Sequence, residues 1–188
     1  MSVLRLQLPT DPRWVNLAEK SIAEILIDHA YCEQKAASTC ISLIQLYADK
    51  AELVEKLAPI VTEEWGHFRM VLAELKKRNI PLGRQRKDEY VGKLRKFSMK
   101  GGNGNERLAV HLMMAGLIEA RSCERFKLLW KNIPDQELSK FYYELMVSEA
   151  GHYKIFLQLA REYMPDNYVT ARWKKLLEEE AAIMASLE

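Results

Sequence analysis

Apolar residues recur every three or four positions along five long stretches of this 188-residue chain, and no stretch alternates with a period of two. That spacing predicts amphipathic helices and no sheet. Pro, Gly and Asn mark the ends of the stretches. Asp11 stands between Pro9 and Pro12 and can cap a helix opening at Pro12 or Arg13 and running to Tyr47. The polar joint Ala48-Asp49-Lys50 leads to a second stretch ending near Asn79, just before Pro81 and Gly83. A third spans about Asn105 to Trp130, a fourth runs from Asp135 to near Tyr163, and a shorter fifth covers about Thr170 to Ser186. Pro59 should kink the second stretch or split it into a short and a longer helix. Gly101-Gly102-Asn103-Gly104 reads as a flexible turn; it lacks the Gly-Lys-Ser/Thr of a phosphate-binding loop.

The joints carry topology. Two of them are only a few residues long, so helices one and two, and helices three and four, should form antiparallel hairpins. The link from Ile80 to Gly104 is about 25 residues, which suits a crossover connection. The expectation is one all-α domain over residues 1–188: a four-helix bundle of two antiparallel hairpins, a long crossover at about 80–104, and an extra C-terminal helix at about 170–186.

Each of the four long stripes contains an acid where an apolar residue is expected. Helix one carries Ile22, Ile25, His29, Glu33, Ala36, Cys40, Leu43 and Tyr47 on one face; helix two carries Leu53, Leu57, Ile60, Glu64, His67, Val71 and Leu75. Helix three aligns Leu108, Leu112, Ala115, Glu119, Ser122, Phe126 and Leu129, and helix four aligns Leu138, Tyr142, Leu145, Glu149, His152, Phe156, Leu159 and Tyr163. Burying unpaired carboxylates costs several kcal/mol or more, and four close together repel one another. Two divalent cations remove both penalties, and neutral imidazole ligates well beside carboxylate oxygens. One Glu from each of two helices plus Glu-x-x-His from each of two others is the ligand set of di-iron and di-manganese bundles. The levels match as well. Glu33 and Glu64 are equidistant from the first joint and Glu119 and Glu149 from Pro134, each about 15 residues away, roughly 22 Å along a helix.

Glu124 competes with Glu119 for the fourth carboxylate, because Val110, Met113, Leu117 and Leu128 define a second apolar stripe that includes it; its level fits less well. His29, with Asp28, is either a satisfied core histidine or a group that orients Glu33. His111 has no Glu at ligand spacing and reads as structural, and Glu63 as solvated or paired with a base.

Composition narrows the class. No apolar run reaches the length of a membrane span, the N-terminus lacks the apolar segment of a secretory signal, and Cys32, Cys40 and Cys123 form neither a CxxC pair nor a disulfide framework. A cytoplasmic protein with reduced thiols is expected. The net charge is only +2, yet residues 76–107 hold eleven bases and three acids. Arg84, Arg86, Lys87, Lys93, Arg95, Lys96 and Lys100 in that link are candidate contacts to an RNA backbone; a solvated crossover is the plainer alternative. Tyr90 and Phe97 could stack on loop bases or anchor the crossover. From the residues alone, a ferroxidase or iron-storage protein, a peroxide-scavenging di-iron protein and a non-enzymatic helical binding module all stay open.

A resemblance narrows these. Asp28-His29-Ala30-Tyr31-Cys32-Glu33-Gln34-Lys35-Ala36-Ala37-Ser38, Glu63-Glu64-Trp65-Gly66-His67-Phe68, Ile118-Glu119-Ala120-Arg121-Ser122-Cys123-Glu124-Arg125-Phe126 and Ser148-Glu149-Ala150-Gly151-His152-Tyr153 look like the bacterial tRNA hydroxylase family that acts on 2-methylthio-N6-isopentenyladenosine. Pro9-Thr10-Asp11-Pro12-Arg13-Trp14 and Ile80-Pro81-Leu82-Gly83 resemble it too, whereas Gly66 and Gly151 stand where bulkier residues are expected. The resemblance implies a ferritin-like fold and a non-haem di-iron monooxygenase that hydroxylates the isopentenyl group beside the anticodon. It implies two iron ions, O2 as co-substrate, the tRNA anticodon stem-loop as partner, and an external electron-transfer reductase, with a monomer favoured. Glu33, Glu64, His67, Glu119, Glu149 and His152 would be the ligands, Glu64 and Glu149 bridging and Glu33 and Glu119 terminal. Phe68, Leu112, Ala115 and Tyr142 would wall the prenyl pocket.

Overall fold

The computed structural model describes residues 4, 6–11, 14, 22–85, 88–97 and 102–187. Among the described residues, six helices of six residues or more fall in the order α1 (Ile22–Leu46), α2 (Ala51–Lys77), α3 (Glu89–Leu94), α4 (Gly104–Asn132), α5 (Gln136–Tyr163) and α6 (Asp166–Ala185), with a 3-10 turn at Arg95–Phe97 after α3. No strand occurs among the described residues. The chain forms two compact units, Asn16–Lys87 and Met1–Val15 with Asp88–Glu188.

The first unit is the α1–α2 hairpin. Leu26, Ala30, Ala37, Cys40 and Leu43 of α1 and Leu53, Leu57, Ile60, Val71 and Leu75 of α2 are buried. The expected opening of helix one at Pro12 or Arg13 lies outside the described residues. Pro59 does not split α2, which is continuous through it. The proline faces solvent and removes a single backbone donor, while buried Leu57 and Ile60 hold the helix on either side. The end of α2 is built by Asn79 in the left-handed region (φ 56). Ile80 N–H donates to Leu75 C=O and Asn79 N–H to Lys76 C=O, the two bonds of a Schellman stop. The chain then turns back, and Tyr31 O–H of α1 donates to Gly83 C=O at 2.7 Å. Gly83 has φ +66, a conformation that favours glycine.

The second unit is the α4–α5 hairpin with α3, α6 and the N-terminal segment. Asp135 caps α5 by accepting from Glu137 N–H and Leu138 N–H. The Gly101–Gly104 stretch ends differently from the expected flexible turn: Asn103 caps α4 in a reciprocal capping box with Glu106, and Gly104 is already helical. Gly101 itself lies outside the described residues. At Gly116, a Cβ would sit 3.4 Å from Phe156 Cβ, so the missing side chain lets α5 approach closely. Helix α6 opens at Asp166, four residues before the expected start, because Pro165 sets the entry and Val169 N–H already donates to its carbonyl.

The unit is tied together by a buried charge network that the periodicity did not single out. Arg121 of α4 is 1% exposed and Glu180 of α6 is fully buried. Arg121 Nε and Nη2 both donate to the Glu180 carboxylate at 2.9 Å. Its guanidinium also pairs with Glu124 and donates to Thr10 Oγ1 and Leu8 C=O. Tyr90 of α3 donates to Glu180 at 3.2 Å; burial, with Glu180 beside it, pushes the phenol well above its usual range and keeps it a donor. Tyr90 is therefore an anchor of the crossover. The sequence does carry a signal for Glu180: it continues the α6 stripe Val169, Trp173, Leu176, Leu177, Ile183 and Met184, all buried. Removing one member of such a pair leaves a buried charge uncompensated, so Glu180→Ala should lose about 3–5 kcal/mol of unfolding free energy, measured by urea denaturation.

Candidate metal centre

Each unit carries one triad of carboxylate and imidazole side chains that could hold a metal ion. In the first unit, α1 supplies Glu33 and α2 supplies Glu64 and His67. One ligand atom from each lies within 4.8 Å of the other two. His67 Nδ1 stands 3.5 Å from Glu33 Oε2 and 3.7 Å from Glu64 Oε2. Glu33 is 3% exposed and Glu64 1%, whereas His67 is half-buried. In the second unit, α4 supplies Glu119 and α5 supplies Glu149 and His152, with ligand atoms inside the same limit. His152 Nδ1 lies 3.3 Å from Glu149 Oε2, and all three residues are buried.

The helical spacing explains both triads. Residues three apart share a face one turn apart, so Glu64 with His67, and Glu149 with His152, present their side chains together. The hairpin turn then brings the carboxylate of the partner helix to the same level. Separations near 3–4 Å between oxygen and nitrogen donors suit a shared ion, since bonds of about 2.1 Å place neighbouring ligands roughly 3 Å or slightly more apart. Mixed carboxylate and imidazole donors suit several first-row divalent ions, iron included.

His29 orients Glu33. Its Nε2 lies 2.6 Å from Glu33 Oε1, and both residues are buried. Burial, with His67 nearby, lowers the His29 pKa to about 3, so the ring is neutral at physiological pH and its Nε2–H donates to the carboxylate. This bond to Glu33 is the contact that the orienting reading of His29 requires. Asp28 beside it is exposed.

Glu124 is engaged elsewhere. It accepts from Thr10 N–H at 3.0 Å and from Thr10 Oγ1–H at 2.7 Å, and it pairs with Arg121. Glu119 is the carboxylate of α4 that stands with Glu149 and His152. His111 is half-buried, with its pKa lowered by burial and by Arg107. Cys123 is buried and donates to Met146 C=O; burial, with Glu149 close by, raises its pKa to about 11. Cys40 is buried and Cys32 exposed. Phe68, Leu112, Ala115 and Tyr142 are all buried.

The candidate RNA residues divide. Arg84, Arg95 and Lys96 are exposed, Lys93 is half-buried and bonds Ser186, and Arg86, Lys87 and Lys100 lie outside the described residues, as does the side chain of Phe97. No helix is long and apolar enough to cross a membrane among the described residues.

The model of the tRNA-(MS2IO6A)-hydroxylase (MiaE) family matches residues 2–188. The chain is 38% identical over 158 residues to the tRNA 2-(methylsulfanyl)-N(6)-isopentenyladenosine(37) hydroxylase of Pseudomonas putida, covering 84% of this chain and 76% of that protein. It is 28% identical to the Salmonella typhimurium protein of the same name, covering 96% of this chain and 84% of the relative. Among solved structures, protein 43 with aldehyde deformylating oxygenase activity from Synechococcus superposes with a TM-score of 0.90 at 35% identity, covering 95% of this chain and 88% of that one. The fold is accordingly all-α and ferritin-like, two antiparallel helical hairpins with a long crossover and a C-terminal helix.

Two expectations follow from the site geometry. Removing the ring that holds Glu33, in His29→Leu, should weaken Fe(II) binding about 10–100-fold, read by chelator competition on the metal-free protein. A Cβ at Gly66 or Gly151 meets nothing within 4 Å. Gly66→Ala and Gly151→Ala should therefore each raise the Tm of the metal-free protein by about 2–4 °C, as expected for a gain of about 1 kcal/mol per helical glycine.

Proposed function

Because this chain belongs to the tRNA-(MS2IO6A)-hydroxylase (MiaE) family, we propose that it hydroxylates the isopentenyl group of 2-(methylsulfanyl)-N6-isopentenyladenosine in tRNA, with O2 and an external electron donor. The observation that carries the chemical half of this reading is the pair of buried Glu/Glu/His triads. Glu33, Glu64 and His67 would hold one iron ion and Glu119, Glu149 and His152 the other. The residues fit such ions: four carboxylates balance two divalent cations, and buried carboxylates clustered at these separations are costly without them. Bound iron supplies O2 activation and the oxidising power for C–H hydroxylation, which no side chain of this chain possesses.

The protein's own contributions are positioning and exclusion. His29 keeps its proton on Nε2 against Glu33 Oε1, which fixes the carboxylate's orientation and leaves Oε2 on the His67 side. The apolar side chains Phe68, Leu112, Ala115 and Tyr142 are 0–8% exposed; they shield the oxidising step from water and offer a prenyl tail an apolar surface. Exposed Arg84, Arg95 and Lys96 supply phosphate contacts that give affinity without reading sequence.

The test is product formation. Iron-loaded protein supplied with a reductant, O2 and prenylated, methylthiolated tRNA should yield the hydroxylated nucleoside after digestion. Glu64→Ala should lower the yield by at least about two orders of magnitude, as expected when a metal ligand is lost. Absence of that nucleoside from iron-loaded protein would return the chain to the storage or peroxidase readings.

A further inference from the structure

Helix α2 presents its ligands inward and a different chemistry outward. At 100° per residue, Trp65, Arg69, Leu72 and Lys76 fall on one flank, about 100° round from Glu64. Trp65 follows that ligand directly in the chain, so the flank begins at the level of the metal triad and rises toward the end of α2. Trp65 is 47% exposed, an uncommon position for the largest side chain. It is not loose: its ring lies 4.9 Å from that of Phe68, tilted by 43°, and Phe68 is 7% exposed. One side of the indole is thereby held by the interior while the other is open.

The charge on this flank has one sign. Arg69 and Lys76 are exposed, make no ion pair among the described residues, and share their side of the helix with no acid from Thr62 to Lys76. Beyond Lys76 the same sign continues through exposed Lys77 and Arg84. A fixed aromatic ring followed by regularly spaced cations is the chemistry that takes unpaired nucleotides, the ring stacking on a base and the cations meeting phosphates.

We infer that the Trp65–Arg69–Lys76 flank of α2 is a docking track for a single-stranded RNA loop, with Trp65 stacking on an unpaired base next to the nucleotide being modified and Arg69 and Lys76 neutralising phosphates. The inference rests on the tRNA reading above and adds the residues that grip the loop. Trp65 supplies shape and stacking, Arg69 and Lys76 supply charge, and neither contribution requires iron.

The test uses metal-free protein, an unmodified anticodon stem-loop and a blunt RNA duplex, so that binding is measured without turnover and fails or succeeds separately from hydroxylation. The chain has four tryptophans, of which Trp65 is the exposed one; stem-loop binding should quench fluorescence, and Trp65→Phe should abolish most of the quench while keeping affinity within about threefold. Trp65→Ala should weaken stem-loop binding about tenfold or more and leave duplex binding unchanged. Arg69→Ala and Lys76→Ala should each weaken binding severalfold and lower the slope of log affinity against log salt by about 0.7. Wild-type-like affinity in Trp65→Ala, or a full quench in Trp65→Phe, overturns the inference. So does a concentration-dependent dimer that Trp65→Ala dissolves with RNA affinity intact, which would assign the flank to a second copy. If Trp65→Ala fails to fold by circular dichroism, the Trp65→Phe quench and the two salt slopes still decide the matter.

Discussion

Buried carboxylates set the terms for this protein. Glu33, Glu64, Glu119 and Glu149 occupy positions where the surrounding periodicity would place leucine, and none is more than 6% exposed. Within each triad a carboxylate stands close to a second carboxylate and an imidazole. Such an arrangement is unfavourable by several kcal/mol per charge in an apolar interior and becomes favourable around cations. The helices can therefore be read as a scaffold whose hairpin lengths place these groups at matching levels.

The second buried charge set makes the contrast plain. Arg121, Glu180, Glu124, Thr10 and Tyr90 satisfy one another directly, with a guanidinium at the centre to oppose the acids. Burial opposes its charge, but Glu180 and Glu124 more than offset this and raise the Arg121 pKa. That network joins α4, α6, α3 and the N-terminal segment, two residues along α4 from Glu119. One set of buried charges is complete without a ligand and holds structure; the other has the donors of a metal site and points to chemistry. Glu119 and Glu124, five residues apart on one helix, fall on opposite sides of that division.

Much of this was legible in the pattern of residues. The stripes located the four long helices and put the six clustered carboxylate and imidazole side chains on their inward faces because helical period and burial are tightly coupled. Counting from the joints placed the triad members at matching levels. What escaped was set by less periodic forces. Pro59 allowed either a kink or a break, and with buried Leu57 and Ile60 on either side α2 is not broken. The Gly-rich stretch before α4 hides a capping box at Asn103. Arg121 and Glu180 lie 59 residues apart in the chain, and no local spacing announces that they meet. The hydrogen bond from Tyr31 to Gly83 C=O, which ties the turn after α2 back to α1, is equally silent in the sequence.

The most direct test of the account is the number of Fe(II) ions that the metal-free protein takes up at saturation under anaerobic conditions, counted by elemental analysis after removal of free metal. Two buried Glu/Glu/His triads predict two ions per chain, falling to one or fewer when either Glu64 or Glu149 is replaced by alanine. A wild-type protein that saturates without tight iron, or whose uptake ignores both replacements, would contradict it.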